Sequence, residues 1–347
     1  MLNPHAFEAA MHRALVLAQN GPAWGENPQV GAVILDRNFE TIGEGWHLGA
    51  GTPHAEVMAL ENARHNSGGE LPAGCTAVVT LEPCNHTGRT GPCAQALIAA
   101  GIDRVVYAST DPGKASSGGA QTLRDAGIET YEGLLAAEAD ELIRPWATAT
   151  RLGRPYVTLK WASSLDGRTA ASDGTSKWIS GPESRADSHQ RRSKSDAILA
   201  GIGTVLADDA ELTARYADGS LYPHQPLRVV LGQREIPANA RVLNDAAETV
   251  QLSTHDIAAA LHELFARGIR RVWVEGGPTV ASEFARLGLF DEVIVYLAPM
   301  LIGGNRSALT EIGVSNIIEA AHLQLVEHKL LGSDVMIRAL RIQEEGK

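Results

Sequence analysis

Cysteine is scarce in this sequence: there are three in 347 residues, too few for a disulfide framework and in keeping with a reducing compartment. Long hydrophobic runs are missing as well. None approaches the ~18 residues of a membrane span, and the stretch from Met1 to Asn20 mixes His, Glu and Arg through an amphipathic pattern unlike a secretory signal. Positive charge is also short, with 30 Lys and Arg against 41 Asp and Glu and a net charge of −11. A nucleic-acid groove needs clustered cations, so this balance speaks against one, whereas one or two local basic residues suffice for a single small phosphate. These absences predict a cytoplasmic protein with neither a nucleic-acid nor a membrane partner. What is present is ordinary for a globular enzyme: 44% hydrophobic and 20% charged residues, over a length that calls for two cores.

One stretch concentrates the chemistry. It opens Pro53-His54-Ala55-Glu56 and runs through Glu82-Pro83-Cys84 to Gly91-Pro92-Cys93. His54, Cys84 and Cys93 offer one imidazole and two thiolates, a donor set that suits Zn²⁺ better than Mg²⁺ or Ca²⁺. Three ligands leave a fourth position for a water whose pKa a bound zinc lowers to about 7, and Glu56 is the natural proton carrier beside it. Residues i and i+2 point to different faces in mid-helix, so His54 and Glu56 converge only at a helix start. Pro53 marks one such start and Pro92 another. The expected site therefore lies between two helix N-termini, whose partial positive charge favours thiolates. A closed structural zinc would need a fourth protein ligand, for which Cys75 and His86 are available, but such a site has no use for a His-x-Glu dyad.

Around this stretch the periodicity predicts a helix from Phe7 to Ala18, a hairpin of 32–35 with 41–46, and strands at 77–81 and 104–109. Further helices close at Gly127 and start at Ala136, so strand and helix alternate in the manner of α/β/α layers with the chemistry at their ends. The small and Arg-rich segment from Pro145 to Pro155 is the expected linker, dividing 1–148 from 149–347. Beyond it come a strand at Tyr156–Lys160, a polar helix from Pro182 to Ser195 and a strand at Leu227–Leu231. A helix capped by Asp256 follows, and late strands at 293–297 and 335–342 complete a mostly parallel sheet. The strand Arg271–Val274 runs into Glu275-Gly276-Gly277-Pro278-Thr279 and a helix from Val280 to Leu287. Paired glycines between strand and helix let backbone N–H groups approach a pyrophosphate, with positive φ at Gly277 a second expected reason for glycine. The pattern is not Gly-x-Gly-x-x-Gly, so no Rossmann assignment follows.

His54-Ala55-Glu56 with Pro83-Cys84 and Cys93 resembles the zinc nucleoside and nucleobase deaminases, whose signature usually ends Pro-Cys-x-x-Cys. Here eight residues separate Cys84 from Cys93. That insert, Asn85-His86-Thr87-Gly88-Arg89-Thr90-Gly91-Pro92, resembles one family, the bifunctional deaminase-reductases of riboflavin biosynthesis. In the second half Leu159-Lys160 through Leu165-Asp166-Gly167-Arg168, Ser176-Lys177-Trp178 and the run from Thr204 to Arg215 resemble the same family's reductase module, a relative of dihydrofolate reductase. The resemblance covers nearly the whole chain. It implies an N-terminal three-layer α/β/α cytidine-deaminase-like domain followed by a dihydrofolate-reductase-like α/β domain. It further implies Zn²⁺-dependent hydrolytic deamination of a phosphorylated aminopyrimidine, then NADPH-dependent reduction of its ribosyl chain to ribityl, in a homo-oligomer.

Carried over residue by residue, the resemblance makes Glu56 catalytic and sets the pyrimidine against Asn27, His47, His86, Arg89 and Asp111. It sets NADPH against Ala162, Trp178, Thr204, Asp208, Gly276, Gly277, Pro278 and Thr279, and the reductase substrate against Lys160, Asp166, Ser176, Arg192, Leu212, Arg215 and Glu275. Two departures stand out: Gly113-Lys114 follows Asp111-Pro112 where the family has Asn, and Gly232-Gln233 replaces its Asp-Ser. A nucleobase or nucleic-acid deaminase with a regulatory C-terminal domain is the competing expectation, and the acidic balance weighs against its nucleic-acid form.

Overall fold

A computed structural model of the chain describes residues 4–87 and 91–342. It separates into two compact units, Met1–Gly153 and Arg154–Lys347. The first contains α1 (Pro4–Ala18), β1 (Gly31–Leu35), β2 (Thr41–Trp46), α2 (Ala55–Asn66), β3 (Thr76–Leu81), α3 (Cys93–Ala99), β4 (Arg104–Ser109), α4 (Gly119–Asp125), β5 (Glu129–Glu132) and α5 (Ala136–Leu152). Its five strands lie in the order β2-β1-β3-β4-β5. β1 is antiparallel to β2 and β3, and β3, β4 and β5 are parallel.

The apolar run of β3 is buried along its whole length, as a strand covered on both faces must be. Ala77, Val79, Val105 and Tyr107 pack with residues of α2, α3 and α4. Their alternates Val78, Val106 and Ala108 pack with Phe7, Met11 and Ala14 of α1. The three expected layers follow from this period of two.

Two helices come unusually close to backbone. A Cβ on Gly45 of β2 would lie 2.4 Å from the Ala55 carbonyl oxygen, and one on Gly119 would lie 1.7 Å from the Pro83 carbonyl oxygen. Glycine at these positions seats the start of α2 and the chain before Cys84. Gly45→Ala should therefore destabilise the first unit by about 1–3 kcal/mol, the usual cost of overpacking. Faster amide hydrogen exchange confined to β2 and α2 is the expected sign; unchanged exchange there would show that the contact relaxes freely.

The expected linker is a correction. Residues 145–152 belong to α5, with Pro145 inside the helix and Gly153 closing it in a left-handed conformation at φ 64°. Ala147, Thr148 and Ala149 are buried, so packing carries the helix through a residue that local propensity reads as a break. The units part at Gly153 rather than after residue 148.

The second unit contains β6 (Tyr156–Ser164), α6 (Pro182–Arg192), β7 (Ala197–Gly201), α7 (Ile202–Asp208), β8 (Leu227–Leu231) and β9 (Thr249–Leu252). It continues with α8 (Ile257–Ala266), β10 (Arg271–Val274), α9 (Pro278–Arg286), β11 (Glu292–Ala298), β12 (Leu323–Leu331) and β13 (Asp334–Arg341). Eight strands form one sheet in the order β12-β13-β11-β6-β10-β7-β8-β9. β11, β6, β10, β7, β8 and β9 run parallel, and β13 and β12 add antiparallel edges. Asp256 caps α8 through a hydrogen bond to the Ala259 N–H, as its position before an apolar run predicts. β7, β9 and β12 are absent from the expected elements. In this sheet the strand ends of β6, β7, β8 and β10 open on one edge, where ligands of parallel sheets bind. Among the described residues no helix is long and apolar enough to cross a membrane.

Candidate active sites

The first site forms where two helices begin. His54 is the N-cap of α2 and makes no side-chain capping bond, while Cys93 opens α3 and Cys84 lies in the loop after β3. The ligand atoms of these three lie within 4.8 Å of one another. His54 Nδ1 is 3.2 Å from Cys93 Sγ and 3.5 Å from Cys84 Sγ. Zinc bonds of about 2.3 Å to sulfur and 2.0–2.1 Å to nitrogen at tetrahedral angles put such atoms about 3.5 Å apart, so the donors fit the ion. The Cys93 side chain holds the Cys84 thiol down to about 4, and the same bond pushes the Cys93 thiol up. Two sulfurs competing for one proton make a seat that a divalent cation fills. Cys75, the alternative fourth ligand, instead donates to the Pro72 carbonyl at 3.0 Å.

Glu56 is buried on the first turn of α2. Burial raises its carboxyl to about 7, and the Cys84 thiolate adds to the rise. A carboxyl so placed is ready both to take and to give a proton at neutral pH. Asn27 and His47 join this group. His47 Nδ1 lies 3.1 Å from the Pro53 carbonyl, which accepts its proton and fixes the tautomer, so Nε2 is left to accept from Asn27 Nδ2 at 2.9 Å. Burial lowers the pKa of His47, and its ring meets that of His54 edge-on at 5.2 Å.

Asp111 is buried after β4, with Oδ1 accepting from the Gly113 N–H at 2.8 Å. A Cβ on Gly113 would sit 2.2 Å from Ser116 Oγ and 3.0 Å from Asp111 Oδ1, so the turn around this carboxylate leaves little room for a side chain there. His86 Nδ1 is buried with no partner among the described residues, and Arg89 lies outside them.

Glu82 has a role that the sequence does not disclose. Its carboxylate is buried and accepts from the N–H groups of Asp111 (3.2 Å), Gly118 (3.2 Å) and Ala120 (3.1 Å). It thereby ties the Cys84 loop to the Asp111 loop and to the start of α4. Only the fold brings these partners together, so the Glu-Pro-Cys spacing alone gives no sign of them.

The second site gathers Lys160, Arg192 and Glu275. Arg192 Nε and Nη2 reach the two Glu275 oxygens at 2.7 and 2.5 Å, and its Nη1 reaches the Thr213 carbonyl at 2.9 Å. Lys160 Nζ is 3.8 Å from Glu275, and Trp273 Nε1 donates to the same carboxylate. Burial by itself would raise the Glu275 pKa, but Arg192 and then Lys160 outweigh it and hold the group below the usual carboxylate range. Burial lowers the pKa of Lys160, and Arg192 lowers it further. The Arg192 fork is therefore engaged within the protein, leaving Lys160 the less tightly paired cation.

His189, absent from the expected residues, accepts from the Arg215 N–H at 3.2 Å; burial and then Arg192 lower its pKa to about 4. The Arg215 guanidinium bonds Glu211. Leu212, between these groups in sequence, is buried at φ 51°.

The remaining expected residues are less concentrated. Ala162 pairs with Tyr296 across β6 and β11. Asp166 accepts from Ser164 Oγ and from the N–H groups of Ile302 and Gly303, which lower its pKa to about 2. Its carboxylate thus fastens two loops. Ser176 is half-buried in the segment before α6, and Trp178 is 69% exposed with the Arg185 guanidinium 4.5 Å from its ring. Asp208 ends α7 exposed.

At the glycine turn, Thr204 Oγ1 accepts from the Gly277 N–H at 3.2 Å, which joins two expected cofactor residues. Gly277 is the N-cap of α9 at φ −58°, Pro278 is its first residue, and Thr279 is exposed. The expected positive φ at Gly277 is therefore corrected. A Cβ there would meet only Thr204 Oγ1 at 3.7 Å, whereas one on Gly276 would lie 2.7 Å from Val280. Gly276 is needed for packing, and the space beside Gly277 is open to a ligand.

Residues 5–109 match the family model for the cytidine and deoxycytidylate deaminase zinc-binding region, and residues 155–337 match that for the RibD C-terminal domain. The chain is 49% identical to the riboflavin biosynthesis protein RibD of Mycobacterium tuberculosis over 89% of its own length and 90% of that protein's. It is 40% identical to the Escherichia coli RibD over 95% and 98%. Among solved structures, Acinetobacter baumannii RibD superposes with a TM-score of 0.88 at 37% identity, covering 98% of this chain and all (100%) of that one. A Thermotoga maritima diaminohydroxyphosphoribosylaminopyrimidine deaminase/5-amino-6-(5-phosphoribosylamino)uracil reductase gives 0.88 at 34%, with 98% and 100% covered. With a zinc-binding deaminase region and a reductase domain in one polypeptide, the chain belongs to the RibD family of riboflavin biosynthesis proteins.

Proposed function

We propose that His54, Cys84, Cys93 and Glu56 carry out the deamination, and that Lys160, Arg192 and Glu275 serve the reduction, in the bifunctional deaminase-reductase that this family member is. The substrate is a phosphoribosylaminopyrimidine, converted to its uracil form and then reduced at the ribosyl chain. The observation that supports this most directly is the meeting of the three zinc-type donors within 4.8 Å beside the buried Glu56.

Zinc, when bound, supplies a Lewis acid and an activated water. With the ion in place, Glu56 would give one proton to the ring nitrogen and later a second one to the leaving amine, while Asn27 and His47 would shape the wall against the pyrimidine. NADPH, when bound, supplies the reducing equivalent; Lys160 stands ready to orient the ribosyl oxygens, and Glu275 holds its charge and that of Arg192 in place. We assign the deaminase to the unit that ends with α5 and the reductase to the one that begins at β6. We place both reactions in the cytoplasm and expect a homo-oligomer, which sedimentation at assay concentration would measure.

Treatment with a strong zinc chelator tests the division of labour. Ammonia release from the pyrimidine should disappear and return with added Zn²⁺, because the ligands have no substitute ion of matching softness. NADPH affinity should not change. Chelated protein that still deaminates would remove the metal from the reaction.

A further inference from the structure

Two arginines share one carboxylate beside the second site. Glu211 binds the Arg215 guanidinium through Oε2 and the Arg241 guanidinium through Oε1. It is the most buried of the three, with 17% of its side chain exposed against 32% for Arg215 and 55% for Arg241. One positive charge is left in excess. Neither guanidinium has another hydrogen-bond partner among the described residues.

The backbone around Glu211 and Arg241 is tied down by buried groups. Arg228 of β8 is fully buried, and its guanidinium donates to the Glu211 carbonyl at 3.4 Å, to the Asn244 side chain at 2.8 Å and to the Asn244 carbonyl at 2.5 Å. The Arg241 N–H donates to Asp209 Oδ1 at 2.9 Å. At Arg215 the backbone is tied instead to the second site. Its N–H donates to His189 Nδ1 at 3.2 Å; Arg192, which holds Glu275, lies 3.4 Å from the same nitrogen and donates to the Thr213 carbonyl at 2.9 Å. Arg215 thus links the Arg192–Glu275 pair, through its backbone, to Glu211, through its guanidinium.

A phosphate monoester carries about two negative charges at neutral pH. If it met Arg215 while Glu211 stayed paired there, like charges would crowd one guanidinium. If Glu211 turned away with no second partner, a largely buried carboxylate would be left unpaired, which is costly. Arg241 removes both difficulties, because it already holds the other oxygen of Glu211 and keeps it when Arg215 turns to the phosphate. We propose that Arg241 is a positioning residue of the reductase: acting through Glu211, it frees Arg215 for the phosphate of the phosphoribosyl substrate. This role rests on the second site taking that substrate with Arg215 at its phosphate.

Steady-state reduction of the preformed uracil substrate by the full chain, at saturating NADPH, tests it. Arg241→Gln should raise KM by about two- to tenfold, the worth of a partly exposed charge interaction, and leave kcat unchanged, because the residue touches neither substrate nor cofactor. Arg241→Lys, which keeps the charge, should restore most of the wild-type KM. Glu211→Gln, whose carbonyl still meets Arg228, should lower KM, since no carboxylate then competes for Arg215. In that background Arg241→Gln should have no further effect. Arg215→Gln is the reference and should raise KM more than Arg241→Gln does. An unchanged KM in Arg241→Gln beside a raised one in Arg215→Gln would overturn the role of Arg241 and leave Arg215 at the phosphate. A rise that persists without the Glu211 carboxylate, or a fall in kcat of the same size, would overturn it too, by showing a direct contact or a packing defect. An unchanged KM in Arg215→Gln would overturn both the role and the placement of Arg215 beneath it.

Discussion

Glu56→Gln should lower the rate of ammonia release by about 10² to 10⁴, the usual contribution of a positioned acid-base group. The glutamine keeps the shape of the side chain on the first turn of α2, so His54, Cys84 and Cys93 should keep their zinc. NADPH oxidation supplied with preformed uracil product should continue at the wild-type rate. The size of the loss follows from the isolation of the group: Glu56 is buried, and burial brings its carboxyl to about 7, a value that no exposed glutamate nearby could supply in its stead. Zinc content, ammonia and NADPH oxidation measured on one preparation decide the matter. Undiminished deamination would sink the catalytic assignment, and loss of zinc from the variant would make Glu56 a residue that positions the metal ligands.

Gly277→Val should abolish NADPH binding and leave deamination intact. Since Gly277 has φ −58° and a Cβ there has only an ordinary contact with Thr204, the substitution costs the folded protein little, and the added side chain occupies the space where a pyrophosphate must approach the start of α9. Gly276→Val is the contrasting variant, because its Cβ collides with Val280 and should unsettle the second unit whether or not a ligand is present. NADPH fluorescence titration with circular dichroism separates the two. Normal NADPH affinity in a folded Gly277→Val protein would mean that the cofactor lies elsewhere in the unit.

Much of this arrangement is legible in the sequence, for reasons that differ by residue. His54, Cys84 and Cys93 are readable because zinc chemistry admits few donor types, and the prolines beside His54 and Cys93 announce the helix starts that bring them together. The strands β4, β8 and β10 are readable because each is a short apolar run flanked by turn residues. α5 is misread at Pro145 because the burial of Ala147, Thr148 and Ala149 overrides local propensity.

β12 is missed because it is an edge strand, paired only with β13 and mostly exposed, so it lacks a clean buried alternation. The two-residue turn Gly332-Ser333, with Leu331 paired to Asp334, is the hairpin signal that would have found it. Glu82 and His189 are illegible for a different reason. The Glu82 carboxylate meets backbone N–H groups far away in sequence, and His189 accepts from the Arg215 N–H; a backbone N–H has no letter in the sequence.

The close approaches at Gly45 and Gly119 carry that last point into protein engineering. A saturation library at these two codons, selected for growth on the deaminase reaction, should return glycine and little else, although neither position holds a functional group. The seat of α2 on β2 and that of the Pro83 carbonyl on α4 are each encoded by the omission of a single carbon. Recruiting the site to a bulkier amidine would therefore call for widening the wall around Asn27 and His47, with the two glycines held constant.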